Sequence, residues 1–371
     1  MCLHTGLYYL VLCSKKYKLL VLMINNYSCD IISGQRPSLV DLPVRVNIWI
    51  RPYCQRAQFE VLKKACPSVL FLQSDGGRNE DEWKAIRRNR KIFDKEIDWN
   101  CTVYKVYEES NNGLYAMSNK VCSIIWSVVD RCLFLEDDYV PSVSCFTFHA
   151  ELLEKYKDDL RVYCICSLNQ LEAYNRCSSD YFFSRQGSIW GCSFWRNRVE
   201  NRFEAFKKAD DPYILHLLKQ RTQHNKTAWR RLNAYLVNDM YEGHVAGTEF
   251  YIEFSMYAYN MLQIIPRLNL LTYIGDTPDA SHASERNLMP KAIRRIFGMK
   301  AYELDFPLKH PSFVIPDVAF EKKRNRIMGH NTPFVNFARR VEKIIYYICA
   351  GKVRLAFKKA FVCAKGNNKE R

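Results

Sequence analysis

The chain has 371 residues, of which 48% are hydrophobic and 25% charged, a balance that excludes wholesale disorder and leaves room for a sizeable core. Its net charge of +16 is uneven: residues 291–371 hold 19 of the 55 Lys and Arg but 6 of the 39 Asp and Glu, so +13 lies in that segment. An anionic partner is expected there, and no nucleic acid on the rest of the chain. The 15 cysteines include no C-x2-C pair, which argues against a zinc ribbon and reads as small core thiols of a reducing cytoplasm.

From Met1 to Cys29 two short apolar runs are split by Ser14-Lys15-Lys16-Tyr17-Lys18. Neither approaches the ~20 residues a bilayer span needs, and the charges sit in the wrong place for a signal peptide. Residues 1–42 therefore read as an extension of unknown structure. From Pro43 the pattern alternates. Val44 to Ile50 predicts a strand, Gln55 to Ala65 an amphipathic helix, Ser68 to Gln73 a second strand, and Asn79 to Ile97 a charged helix. Cys101 to Tyr107 predicts a third strand, Gly113 to Val129 a helix with an apolar stripe, and Cys132 to Leu135 a fourth strand. That order predicts an α/β fold with a mostly parallel sheet flanked by helices. Right-handed crossovers would set Arg51, Asp75 and the Glu136-Asp137-Asp138 triplet along one edge of it. Three adjacent acids repel one another unless a cation neutralises them.

Beyond the triplet, Phe146 to Tyr156 predicts a helix, Arg161 to Cys166 a strand, 197–240 charged helices, and Ile264 to Ile274 a short strand pair around Pro266. Cys164 and Cys166 should share one strand face. The aromatic clusters Tyr181-Phe182-Phe183 and Trp190 to Trp195 suit stacking on sugar rings, with Trp190 the better ligand contact beside Gly191. Lys120, on the helix after Asn111-Asn112-Gly113, is expected to face a diphosphate on geometry alone. In the tail, Phe334, Phe337, Val341, Ile344, Ile345 and Ile348 form a helical apolar stripe flanked by Arg339, Arg340 and Lys343. This basic helical extension, residues 312–371, reads either as a membrane-interface helix or as an ordinary helix packed on the domain with its basic face in water.

Four segments taken together carry a resemblance: Ile48-Trp49-Ile50 ending in Arg51-Pro52; Leu72-Gln73-Ser74-Asp75-Gly76; Phe134-Leu135-Glu136-Asp137-Asp138; and Tyr181 to Ser184 with Trp190-Gly191 and Trp195-Arg196. In their order and spacing, residues 43–311 resemble bacterial sugar-nucleotide glycosyltransferases of the GT-A fold, and are more distantly similar to the N-acetylglucosaminyltransferase I type with its Glu-Asp-Asp motif. The resemblance implies that Arg51, Asp75 and Gly76 hold the nucleotide base, that Glu136 and Asp137 contact ribose and donor sugar, and that Asp138 ligates Mn2+ or Mg2+ on the diphosphate. It places the general base at Glu249, preceded by Thr248 where the family usually has Trp before Asp, with Glu253 as substitute one turn later. His282 would reach the metal or diphosphate. The implied activity is metal-dependent, inverting transfer of a sugar from a nucleoside diphosphate, UDP by preference, to a glycan or lipid-linked acceptor in cell-surface polysaccharide synthesis. The implied location is the cytoplasm, at the inner face of the membrane. A nucleotidyltransferase on a similar sheet, a non-catalytic protein for anionic surfaces, and a degenerate transferase stay open as alternatives.

Overall fold

A computed structural model describes residues 27–200, 211–222, 225–238, 240–241, 244–245, 247–275, 287–330 and 332–354. Its strands are β1 (Ser28–Ile32), β2 (Val40–Ile48), β3 (Pro67–Ser74), β4 (Cys101–Tyr107), β5 (Arg131–Leu135), β6 (Tyr139–Pro141), β7 (Val162–Cys166), β8 (Tyr181–Ser184), β9 (Cys192–Trp195), β10 (Met240–Tyr241), β11 (His244–Val245), β12 (Leu262–Pro266) and β13 (Leu271–Tyr273). Its helices are α1 (Pro52–Ala65), α2 (Glu80–Glu96), α3 (Leu114–Val128), α4 (Val143–Lys155), α5 (Arg196–Val199), α6 (Pro212–Arg221), α7 (Lys226–Asn238), α8 (Thr248–Ala258), α9 (Lys291–Arg294), α10 (Val318–Met328) and α11 (Pro333–Cys349).

Nine strands form the central sheet in the order β1-β4-β3-β2-β5-β9-β7-β12-β8. The pairs β4–β3, β3–β2, β2–β5 and β7–β12 are parallel, so six strands run one way and β1, β9 and β8 the other. The parallel half arises as the periodicity predicts. Val44, Val46 and Ile48 of β2 and Leu70 and Leu72 of β3 are fully buried, as strands covered on both faces require. Pro52 opens α1 within its first turn, where a missing amide costs nothing. Asn79 caps α2 by accepting from the Glu82 amide, and Glu80, Asp81 and Glu82 complement that helix end.

After the edge strand β1, the chain enters β2, winds outward through β3 and β4, then jumps back to β5 on the other side of β2. Because each crossover is right-handed, that reversal changes the face on which the helix lies. Accordingly Phe59 of α1 and Phe93 of α2 pack with one layer, whereas Val121, Ile124 and Ile125 of α3 pack with the other. The point at which the strand order reverses therefore lies at the carboxyl ends of β2 and β5.

Three features differ from the expectation. β2 begins at Val40 rather than Val44, with a register shift between Val40 and Pro43 that lets a proline sit inside a central strand. β1 pairs antiparallel with β4, so part of the N-terminal extension is the sheet edge. The strands around Pro266 do not pair with each other: β12 joins the central sheet, while β13 pairs antiparallel with β6, Tyr273 opposite Tyr139. Cys164 and Cys166 do share a face, and Cys192 meets them, the three buried sulphurs lying within 4.8 Å of one another. The Cys166 and Cys192 thiols donate to the Ser188 carbonyl.

Candidate active site

Arg51 leaves β2 as the N-cap of α1, and the acidic triplet leaves β5 one strand away. The Arg51 guanidinium donates from Nε to Asp137 Oδ2 at 2.8 Å and from Nη2 to Asp137 Oδ1 at 2.6 Å, and its Nη1 lies 3.0 Å from Asp138 Oδ2. This is the two-pronged fork for which a planar guanidinium is suited, with a third contact added. The side chains of Arg51, Asp137 and Asp138 are only 11, 5 and 13% exposed. Burial pushes the Asp138 carboxyl up to about 6, the neighbouring Asp137 charge adds to that, and Arg51 opposes it. Burial likewise raises Asp137 against the hydrogen bond from Arg51. At Arg51 burial works against the cation, but the bond to Asp137 and the two carboxylate charges outweigh it and hold its pKa above the ordinary value.

Side chains from β2 and α1 fix the turn that carries the triplet. Arg45 Nη1 donates to Glu136 Oε1 at 3.0 Å and to the Leu135 carbonyl at 3.2 Å, and Asn47 Nδ2 donates to Glu136 Oε2 at 3.1 Å. Gln58 Nε2 donates to the carbonyls of Glu136 and Tyr139 at 2.7 and 2.9 Å. The sequence reading missed all three. Their signal was there: an arginine inside an otherwise apolar strand and a glutamine on the inward face of a helix are buried polar groups that need partners. From the other side, the Ile274 amide donates to the Asp138 carbonyl at 3.0 Å. A Cβ on Gly275 would lie 2.6 Å from each of Arg51 Nη1, Asp138 Oδ2 and the Tyr273 hydroxyl, so only glycine allows the chain this close.

The other predicted residues fall into separate places. Asp75 is buried at the tip of β3, but its oxygens accept from the amides of Gly76, Asn112 and Gly113 at 3.0, 3.0 and 2.9 Å. It therefore ties down the loop before α3, with no oxygen turned to Arg51. Gly76 permits that loop, since a Cβ there would sit 2.4 Å from the Ser110 backbone. Arg51 is engaged through its three guanidinium nitrogens by carboxylates rather than turned toward a nucleotide base. Lys120, expected to face a diphosphate, is paired with Glu108 at 2.5 Å. His282 lies outside the described residues, which resume at 287 after Gly275.

Trp190 packs on Tyr139, at 5.7 Å between ring centres, and on Tyr273, at 5.4 Å, which are themselves 6.5 Å apart, with Phe297 edge-on at 5.2 Å. It also lines a cavity of about 300 Å3 together with Glu249, Glu253, Arg231 and Arg324. Tyr139 directly follows Asp138, so one aromatic wall runs from the triplet to this cavity. Glu249 stands exposed in the first turn of α8, and Glu253 one turn later faces the same cavity, as their spacing predicts. Glu253 Oε2 accepts from Arg231 Nε at 2.7 Å. Arg324 donates to Gln170 Oε1 at 2.8 Å and to the Gly187 carbonyl at 3.0 Å.

No family model and no curated protein matches this sequence. Among solved structures, the apo form of mouse xyloside xylosyltransferase 1 is similar over 60% of this chain and 84% of that one, with 11% identity and a TM-score of 0.30. A likeness that slight carries no weight, and any function has to be read from the residues of the cleft.

Proposed function

We propose that this chain is a glycosyltransferase that moves a sugar from a nucleoside diphosphate donor to an acceptor hydroxyl, with inversion at the anomeric carbon. The observation that carries this reading is the meeting of Arg51, Asp137 and Asp138 at the carboxyl tips of β2 and β5, where the strand order reverses. Buried carboxylate oxygens are hard ligands, and among the described residues the Asp138 carboxylate is paired with Arg51 alone. The donor set therefore fits a Mn2+ or Mg2+ ion, with Asp138 as the ligand and Glu136 and Asp137 beside it. When bound, such an ion supplies Lewis-acid stabilisation of the departing diphosphate.

The chain's own groups account for the rest. Arg51 offsets part of the charge of two carboxylates in a pocket nearly closed to water and fixes both before any ligand arrives. The face of Trp190, backed by Tyr139 and Tyr273, suits the apolar side of a sugar ring. Glu249 is positioned to take the acceptor proton as the acceptor oxygen attacks the anomeric carbon and the bond from that carbon to the diphosphate oxygen breaks. It is preferred to Glu253 because the latter already accepts from Arg231.

The test is hydrolysis of a panel of nucleotide sugars with Mn2+, reading release of nucleoside diphosphate from wild type and from Asp138→Ala. Loss of turnover by about 100-fold or more in the variant is expected. Equal turnover would remove the metal assignment, and pyrophosphate release from a nucleoside triphosphate would assign nucleotidyl transfer instead.

A further inference from the structure

Helix α11 is docked with its polar side inward. Tyr347 is buried beside Leu288, and Glu342 Oε1 accepts from the Lys291 amide at 2.9 Å and from the Tyr346 hydroxyl at 2.9 Å. Arg339 Nη2 donates to the Arg326 carbonyl at 2.7 Å, and the Arg294 guanidinium lies over the Tyr346 ring at 5.4 Å. Arg339, Glu342 and Tyr346 recur at helical spacing on one side. Phe334, Phe337, Val341, Ile345 and Ile348 recur at the same spacing about half a turn round, and all five are exposed, Phe334 by 84% and Phe337 by 65%. An ordinary surface helix does the reverse. Five large apolar side chains in one solvent-facing row mark a surface that something covers.

We propose that this face lies in the interfacial region of an anionic lipid bilayer. Charge complementarity selects that occupant. Residues 333–371 carry ten Lys and Arg against two Asp and Glu, and Arg340, Lys352 and Arg354 are exposed beside the apolar row. Two copies apposed through this face would bring the +4 of residues 333–354 against the same charge within about one Debye length, whereas an anionic leaflet offers both hydrocarbon and countercharge. A nucleic-acid backbone would satisfy the cations and leave the phenylalanines in water. No helix among the described residues is long and apolar enough to cross a membrane, so the helix would lie in the plane of the surface. This inference does not depend on the transferase reading.

The test is co-sedimentation of the full chain with vesicles of phosphatidylcholine containing about one third phosphatidylglycerol, against pure phosphatidylcholine. Binding at least tenfold tighter to the anionic vesicles, weakened by 0.5 M salt (about a 4 Å Debye length), is expected. Phe337→Glu with Ile345→Glu should lower that binding at least tenfold and leave the thermal midpoint unchanged, because the docked side of the helix is untouched. Unchanged binding in this double variant would overturn the proposal. So would a wild-type dimer that the variant turns into a monomer, which would assign the face to a second copy. Tighter vesicle binding after removal of residues 355–371 would assign the cover to that segment, and overturn it equally.

Discussion

Carboxylates meet arginine at both ends of the aromatic wall, but under opposite conditions. At the tips of β2 and β5, Asp137, Asp138 and Arg51 are nearly shut off from water and are held by backbone contacts from two sheets. In the cavity beside α8, Glu253 is about as little exposed as Asp138, at 14%, but its partner Arg231 is 30% exposed, and Glu249 stands in solvent. The same pairing chemistry therefore has different consequences. A pair dry on both sides is costly to break, because the remaining charge has no water to turn to, whereas a pair with one partner partly open to water costs less. The first end is suited to holding one fixed ligand geometry. The second is suited to a group that must exchange a proton.

The largest effect that would sharpen this contrast is on transfer itself. Glu249→Gln should slow sugar transfer by about two to four decades while donor hydrolysis and donor affinity stay near wild type. If Glu253→Gln alone shows that loss, the base belongs one helical turn later. Next comes stability: Arg51→Ala should cost about 3–5 kcal/mol in urea unfolding without divalent ions, and added Mn2+ should recover part of it. No recovery would leave Asp137 and Asp138 as a purely structural pair.

A smaller effect concerns His149, buried between the hydroxyls of Ser193 at 2.7 Å and Ser167 at 2.8 Å with no counterion. Burial pushes its pKa down to about 3. The unfolded chain takes up this proton near the usual histidine value of about 6.5, so it binds more protons than the folded one between those limits. Stability should fall as pH drops below that value, by about 1.4 kcal/mol per unit or about 2 kcal/mol by pH 5. Unfolding curves of His149→Gln should lack that component of the slope. The smallest effect is expected at the more open pair, where Arg231→Ala should cost less than Arg51→Ala. A loss as large as that of Arg51→Ala would break the comparison.

Much of the parallel half was legible because its determinants are local. The alternating run from Val44 to Ile48 and the apolar run from Val69 to Leu72 read as buried strands, Asn79 announces a helix start, and an apolar run ending in Glu136-Asp137-Asp138 marks the candidate site. Right-handed crossovers also set Arg51 and Asp75 along this edge of the sheet, and both are there, at the ends of β2 and β3. Their partners were not legible. Arg51 turns to Asp137 and Asp138, 86 and 87 residues on, and Asp75 turns to the loop at Asn112. The pairing of β13 with β6, which brings Gly275 against Asp138, has no trace in local pattern either.

Taken alone, the sequence determined which segments would be strands and helices, where three acids would emerge from the sheet, and that the tail would form an amphipathic basic helix. Only the tertiary structure decided which charge faces which, and that the tail helix turns its apolar row outward. The division has one physical cause. Periodicity and capping act over a few residues, whereas ion-pair geometry and docking direction depend on surfaces brought together from distant parts of the chain.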